Sequence, residues 1–252
     1  MKTSNHLLRR LTAALLAAVL ALSIALPVFA SDDGDTIYIN SVSDLLSLAK
    51  SCAYDQWSVG KTVILQKDLS LEGMLWEPIP SFSGQFKGNG HTISDLTITG
   101  QYSPAGLFGI VEEQGSIESL SVRGIVSVSD SADTTTGGIV GINHGTLINC
   151  QFTGVVTGDS EVGGIVGRNE SEGTIDHSTA RAIVTGKSST GGIAGYNLGA
   201  ITGCTAEGKD ETQGVGSEAI AKMPGEIAES GSIAVDGVSG ATVTSTAIKE
   251  AA

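Results

Sequence analysis

The residues best suited to chemistry crowd the end of this chain. Asp236-Gly237-Val238-Ser239-Gly240-Ala241-Thr242 sets a carboxylate, a small-residue turn and a hydroxyl close together. Asp236 to Gly240 predicts a polar turn, Ala241 to Val243 a brief extended piece, and Thr244 or Ser245 an N-cap for a final helix. Free N–H groups and the positive end of a helix favour an anion, so a phosphate can be held there without Arg or Lys. Gly240 and Ala241 leave room for its close approach, and Thr242 offers a hydroxyl for attachment.

The other reactive side chains are scattered. His91, His144 and His177 lie apart among turns, without the clustered spacing of a metal site. Asp130–Gly137 (DSADTTTG) lacks the ordered oxygen ligands of a calcium loop and reads as a solvated loop. No nucleophile elbow, phosphate loop or dinucleotide fingerprint occurs. Paired carboxylates of a polysaccharide-cleaving enzyme would meet only in three dimensions, and the spacing selects no pair. Cys150 and Cys204 share one repeat position, with Ser178 between them. Two coils apart they would sit about 9.6 Å from each other at the ~4.8 Å strand spacing, too far for a disulfide. Free, buried thiols are expected at these two positions, while a pairing of Cys52 with either stays open, with nothing in the sequence to support it.

The elements that must position the C-terminal residues begin after an export signal. Lys2, Arg9 and Arg10 precede an apolar run from Leu11 to Leu26 and the small-residue pattern Val28-Phe29-Ala30, which predicts a Sec signal peptide (1–30) cleaved after Ala30. The 252 residues carry a net charge of −13, and removing the signal takes away three basic residues and no acidic ones. Such a surface repels nucleic acid and anionic membranes. The 34 glycines, 40% hydrophobic residues and 4% aromatics favour short strands joined by tight turns.

Residues 31–100 read as an opening unit. Ser41–Cys52 has Leu45, Leu48 and Ala49 at helical spacing, with Ser41 as N-cap and Asp44 in the first turn. Lys61–Leu71 is strand-like, and a Gly-Asn-Gly turn precedes alternating Ile93, Leu96 and Ile98. Then, over 101–208, the chain repeats. GGIVGINHGTLINCQFTGVVTG starts at Gly137, GGIVGRNESEGTIDHSTARAIVTG at Gly163 and GGIAGYNLGAITGCTAEG at Gly191, with a looser copy from Ala105. Repeats of this length bury their faces only against neighbours, which predicts a solenoid of short strands and turns. Gly137, Gly163 and Gly191 should be equivalent, and Asn143, Asn169 and Asn197 should stack, their amides bonded along the repeat. A β-sandwich is the competing arrangement.

These units, behind FSGQFKGNGHTISDL (Phe82–Leu96), resemble the GLUG-repeat β-helices of bacterial surface proteins over residues 36–207. The resemblance implies a mostly β fold, a right-handed parallel β-helix, followed by a small α/β C-terminal segment (209–252). It also implies an exported location and no chemistry of its own.

The C-terminal residues resemble the FMN-binding domain in which flavin is linked through its phosphate to threonine, as in the C subunit of the sodium-pumping quinone reductase. The family's Asp-x-x-Ser/Thr-Gly-Ala-Thr pattern stands at Asp236, Ser239, Gly240, Ala241 and Thr242, with Thr244 and Ser245 fitting behind it. Upstream, Glu211, Thr212, Gly214 and Gly216 match its ETPGxG loop, with Gln213 in place of Pro. The resemblance starts at Glu211; the front half of the family's domain is not recognisable, because the repeats run directly into this segment.

This likeness implies covalent FMN, bound by a phosphodiester to Thr242. A separate FMN transferase would install it from FAD after export. Asp236 would orient the attachment turn, and the two Gly-rich segments would frame the phosphate. The redox chemistry would belong to the flavin ring, with the protein supplying position and tuning. The expected function is therefore an exported electron carrier without a catalytic constellation of its own, serving an extracytoplasmic redox partner. The alternative is a non-redox adhesion or carbohydrate-binding β-helix, for which a cell-envelope polysaccharide would be the partner.

Overall fold

The computed structural model describes residues 35–54, 56–129 and 134–207. Residues 1–34, where a signal peptide is expected, and 208–252, where a small α/β C-terminal segment is expected, lie outside the described residues. What is described is a mostly β, parallel solenoid of about six turns.

One repeat shows how the coil is built. Thr135–Gly137, Val140–Asn143, Thr146–Ile148 and Gln151–Thr157 are successive strands, each belonging to a different sheet. The following coil supplies Glu161–Gly163, Val166–Asn169, Thr174–Asp176 and Thr179–Thr185, paired in parallel and in register with the first. A third, Thr190–Gly191, Ala194–Asn197, Ala200–Thr202 and Thr205–Glu207, stacks on these in the same way. The opening unit joins the same sheets rather than standing apart: Thr36–Ile39, Thr62–Leu65 and Gln85–Lys87 lead into the strand column that ends at Ala200–Thr202.

Each such repeat has four strands, and the one at Thr135–Gly137 falls in the stretch that reads in the sequence as a solvated loop. Of DSADTTTG, residues 130–133 lie outside the described residues, and Thr134, Thr135 and Thr136 are buried at 1%, 7% and 0% exposure. Pairing of Thr135–Gly137 with Glu161–Gly163 draws this stretch into the wall. The Thr136 hydroxyl is buried there without a hydrogen-bond partner, while its register mate one coil on is Val162. Thr136→Val therefore removes an unmet hydroxyl at nearly constant shape, and should stabilise the protein by about 1 kcal/mol. The midpoint of urea unfolding checks this.

Glycines make the coil narrow enough to stack. Gly137 and Gly163 are register partners, as are Gly163 and Gly191. A Cβ on Gly163 would lie 1.9 Å from the Val166 carbonyl oxygen, so no side chain fits there. The apolar filling tapers along the axis. Phe82, Phe86 and Phe108 pack with ring centroids 5.4–6.3 Å apart in the early coils. Further along, Phe108 gives way in register to Val140, Val166 and Ala194, and Phe152 to Ala180 and Ala206.

The N-terminal end is closed by helix α1 (Val42–Ser51). The Ser41 hydroxyl accepts the Asp44 N–H at 3.2 Å, and the Asp44 carboxylate accepts the Asn40 N–H at 2.9 Å. Together they satisfy donors that a helix start leaves open. Leu45 and Leu48, at helical spacing, are fully buried, worth about 1.5–3 kcal/mol each.

The asparagine stack forms as expected. Asn143 Nδ2 donates to Asn169 Oδ1 at 2.7 Å, and Asn169 Nδ2 to Asn197 Oδ1 at 2.8 Å. Each amide also donates to a carbonyl of its own turn, Gly145, Gly173 or Gly199. Asn169→Leu would strand the buried amides on either side, so a loss of about 2–4 kcal/mol is expected. Chemical unfolding reads this loss.

Candidate functional site

The corners between coils fix what the scattered polar side chains do. Ser119, Asn149, His177 and Gly203 occupy one corner in successive coils, all with left-handed backbone (φ 52°, 53°, 46° and 61°). His177 is thus a corner residue, and its Nδ1 lies 2.8 Å from the Asp176 carboxylate. The Thr202 hydroxyl donates to that carboxylate at 2.6 Å and, with His177, holds its pKa below the ordinary value. His91 is likewise paired with Asp68, at 3.1 Å. Among the described residues, no group of three or more His, Cys, Asp and Glu is placed to hold a metal.

An open cleft of about 540 Å³ is lined by Ser81 in the strand Ile79–Phe82 and by Ser83, Glu112 and His144. The Ser81 hydroxyl donates to Glu112 at 2.7 Å. That bond ties neighbouring coils and leaves the carboxylate engaged.

The cysteines are free. Cys150 and Cys204 do sit two coils apart, bridged by Ser178: the Cys150 N–H donates to the Ser178 hydroxyl and the Ser178 N–H to the Cys204 sulfur. Burial pushes the Cys52 and Cys150 thiols up to about 12. Thiolate is the reacting form, so neither should be alkylated at pH 8 until the protein unfolds; mass after iodoacetamide treatment checks this. Cys204 differs from expectation in being only half-buried, because no described coil follows it.

The last coil is where the described structure hands over to the candidate flavin site. Glu207, its final residue, pairs with Arg181 at 3.0 Å. Arg168, from the coil before, is forked onto Glu161 and lies over the Tyr196 ring at 5.3 Å. Glu211, Thr212, Gly214, Gly216, Asp236, Ser239, Gly240, Ala241, Thr242, Thr244 and Ser245 all lie outside the described residues, further along the sequence. Their donor chemistry fits a phosphate-linked cofactor: a hydroxyl to esterify, with Gly240 and Ala241 adding no bulk beside it.

Comparison with known proteins bears on both halves of the chain. The GLUG motif matches residues 158–185, which is the coil Glu161–Thr185 and its leading turn. The FMN-binding domain matches residues 186–252. The chain is a GLUG-repeat β-helix protein with an FMN-binding domain. The chain is 35% identical to halomucin of Haloquadratum walsbyi over 155 residues, which is 56% of this chain but 2% of halomucin. It is 30% identical over 137 residues to a protein of Evansella cellulosilytica named as a Gly-rich membrane protein, covering 39% of this chain and 16% of that one. The chain thus spans a small fraction of both relatives. A crystal structure from Bacteroides ovatus, named for an immunoglobulin A1 protease, aligns over 68% of this chain and 75% of its own at 15% identity and a TM-score of 0.45, too distant to carry an argument.

The FMN-binding match begins well before Glu211, inside the last coil. Sequence reasoning missed residues 186–207 as part of that domain because GGIAGYNLGAITGC satisfies the repeat so well.

Proposed function

We propose that this protein is an exported flavoprotein that carries FMN covalently on Thr242 and serves extracytoplasmic electron transfer. The observation that carries the reading is the FMN-binding match over residues 186–252, which contains Asp236 to Thr242 in the attachment register. Attachment is a phosphoryl transfer. The Thr242 hydroxyl oxygen bonds to the flavin-side phosphorus of FAD, the pyrophosphate P–O bond breaks, AMP leaves, and the threonine proton passes to a base of the transferase. A separate FMN transferase is the partner this step requires.

The chain's own part is positional. Gly240 and Ala241 keep the hydroxyl accessible, Asp236 orients the turn, and Thr244, Ser245 and the Gly214–Gly216 loop frame the phosphate. When bound, the flavin ring supplies the electron-accepting chemistry, and an external redox partner takes or delivers the electrons.

Export follows from the Sec-type signal at 1–30, with Ser31 as the first mature residue. The names of the relatives, a mucin and a membrane protein, support a place at the cell surface or membrane. They also favour the second reading, adhesion or polysaccharide binding without redox chemistry. Co-expression with an FMN transferase separates the two. The flavin-carrier reading expects yellow colour and flavin fluorescence that survive denaturation and precipitation; colourless protein leaves the surface-binding reading.

A further inference from the structure

The two ends of the solenoid differ. Helix α1 closes the N-terminal end, whereas the last coil presents its core positions at an open edge among the described residues. Register makes the difference visible. Leu147 and Ile175 are fully buried, but Ile201, their mate in the next coil, is only half-buried. Asn143 and Asn169 are fully buried and Asn197 half-buried. Cys150 is 1% exposed, while Cys204 is half-buried. Ala180 is 2% exposed and its mate Ala206 half-buried. Beside them Tyr196 and Leu198 are exposed at 40% and 54%.

These residues stand at core positions with no further coil after them among the described residues. The last link of the asparagine ladder, Asn197, accepts from Asn169 and donates to its own Gly199 carbonyl, and no asparagine follows it in the sequence. A strand at the end of a parallel stack offers backbone N–H and C=O groups to a further partner, and solenoid ends are ordinarily covered.

We infer that the open end of the solenoid, formed by Ala194–Asn197, Ala200–Thr202 and Thr205–Glu207, is the docking surface for residues 208–252 of the same chain. The last coil then belongs to two units at once, terminal turn of the β-helix and platform of the FMN-binding domain. Two observations select this occupant. The segment begins directly after Glu207 and carries Ile220, Met223, Ile227, Ile233 and Val235, apolar side chains that need a surface to bury them. The FMN-binding match takes in the last coil together with that segment, from residue 186 to 252. The inference rests on the flavin-carrier reading for the identity of the domain, but its test needs no flavin.

The test is hydrogen exchange on the full mature chain without flavin, with Thr242→Ala measured beside wild type. With the end covered, amides of Ala200–Glu207 should exchange within about tenfold of those in the interior strand Thr174–Asp176. Ile201→Glu, which places a charge in the contact, should speed exchange at Thr205–Glu207 by about tenfold or more and leave Thr174–Asp176 unchanged. Cys204 alkylation should follow the same pattern, slow in wild type and fast in Ile201→Glu, giving a second reading should exchange at the edge be hard to assign. Edge amides exchanging about a hundredfold faster than interior ones in wild type would overturn the inference. So would protection that disappears on dilution, since a second copy of the chain would then be the cover. Equal protection in Thr242→Ala supports docking even where flavin attachment fails, so the two ideas fall separately.

Discussion

Thr242→Ala is expected to abolish covalent flavin completely while leaving the unfolding profile of the solenoid as it is in wild type. No neighbouring group can take over the bond, because the phosphodiester needs an alkoxide oxygen at one position of the Ser-Gly-Ala-Thr turn. Thr244 is the nearest competitor, two residues on. Its replacement by alanine should only weaken attachment, since the register puts Gly240 and Ala241 directly before Thr242. Thr242→Ser keeps the hydroxyl and should retain part of the attachment. The scaffold should not respond to any of these changes, because its described ladders end at Glu207, far before Thr242 in the sequence. Intact mass of the three variants after co-expression with the transferase checks the series, and circular dichroism on the same samples checks the fold.

Gly163→Ala is the second large effect, and it acts on the scaffold. The new Cβ would meet the Val166 carbonyl oxygen at 1.9 Å and the Gly195 nitrogen at 2.7 Å. Both are backbone atoms in wall strands, so relief requires the coils on either side to separate. That breaks the parallel pairing of Gly137, Gly163 and Gly191, and a loss of about 4 kcal/mol or more is expected. Gly73→Ala is the contrast. Its backbone is left-handed (φ 76°) but nothing lies within 4 Å of an added Cβ, so only conformational strain of about 1 kcal/mol should appear. Urea unfolding of both variants against wild type distinguishes a steric from a conformational cost.

The architecture could be read from the chain because a solenoid writes its contacts into its spacing. Gly137, Gly163 and Gly191, or Asn143, Asn169 and Asn197, are neighbours in space for the same reason that they align in the sequence: each coil adds one register step. Ser41 and Asp44 marked the capping helix, since local hydrogen bonding decides a helix start. What stayed hidden was whatever depends on the neighbours of a residue rather than on its place in the repeat. Thr134–Thr136 are polar and read as loop, yet the coil after them turns that stretch into buried wall. Cys204 sits at the same repeat position as Cys150, and only its place in the last coil makes it half-buried.

The FMN-binding match was legible in the sequence as a short motif and not over its full length. Asp236 to Thr242 carry a recognisable chemical pattern in a few residues, whereas the front of the domain overlaps residues that also obey the repeat. One stretch serving two patterns shows only the stronger one. That overlap also explains why the open edge at Ile201, Cys204 and Ala206 could not be foreseen: in the repeat alone these are interior positions.

The central claim is that this β-helix carries FMN on Thr242, and peptide mapping of the protein co-expressed with an FMN transferase tests it most directly. The account predicts one FMN phosphoryl group per chain, found on the peptide that contains Ser239 to Ser245 and localised by fragmentation to Thr242. Wild-type protein with no added FMN mass, or with the flavin on any residue other than Thr242, would contradict it.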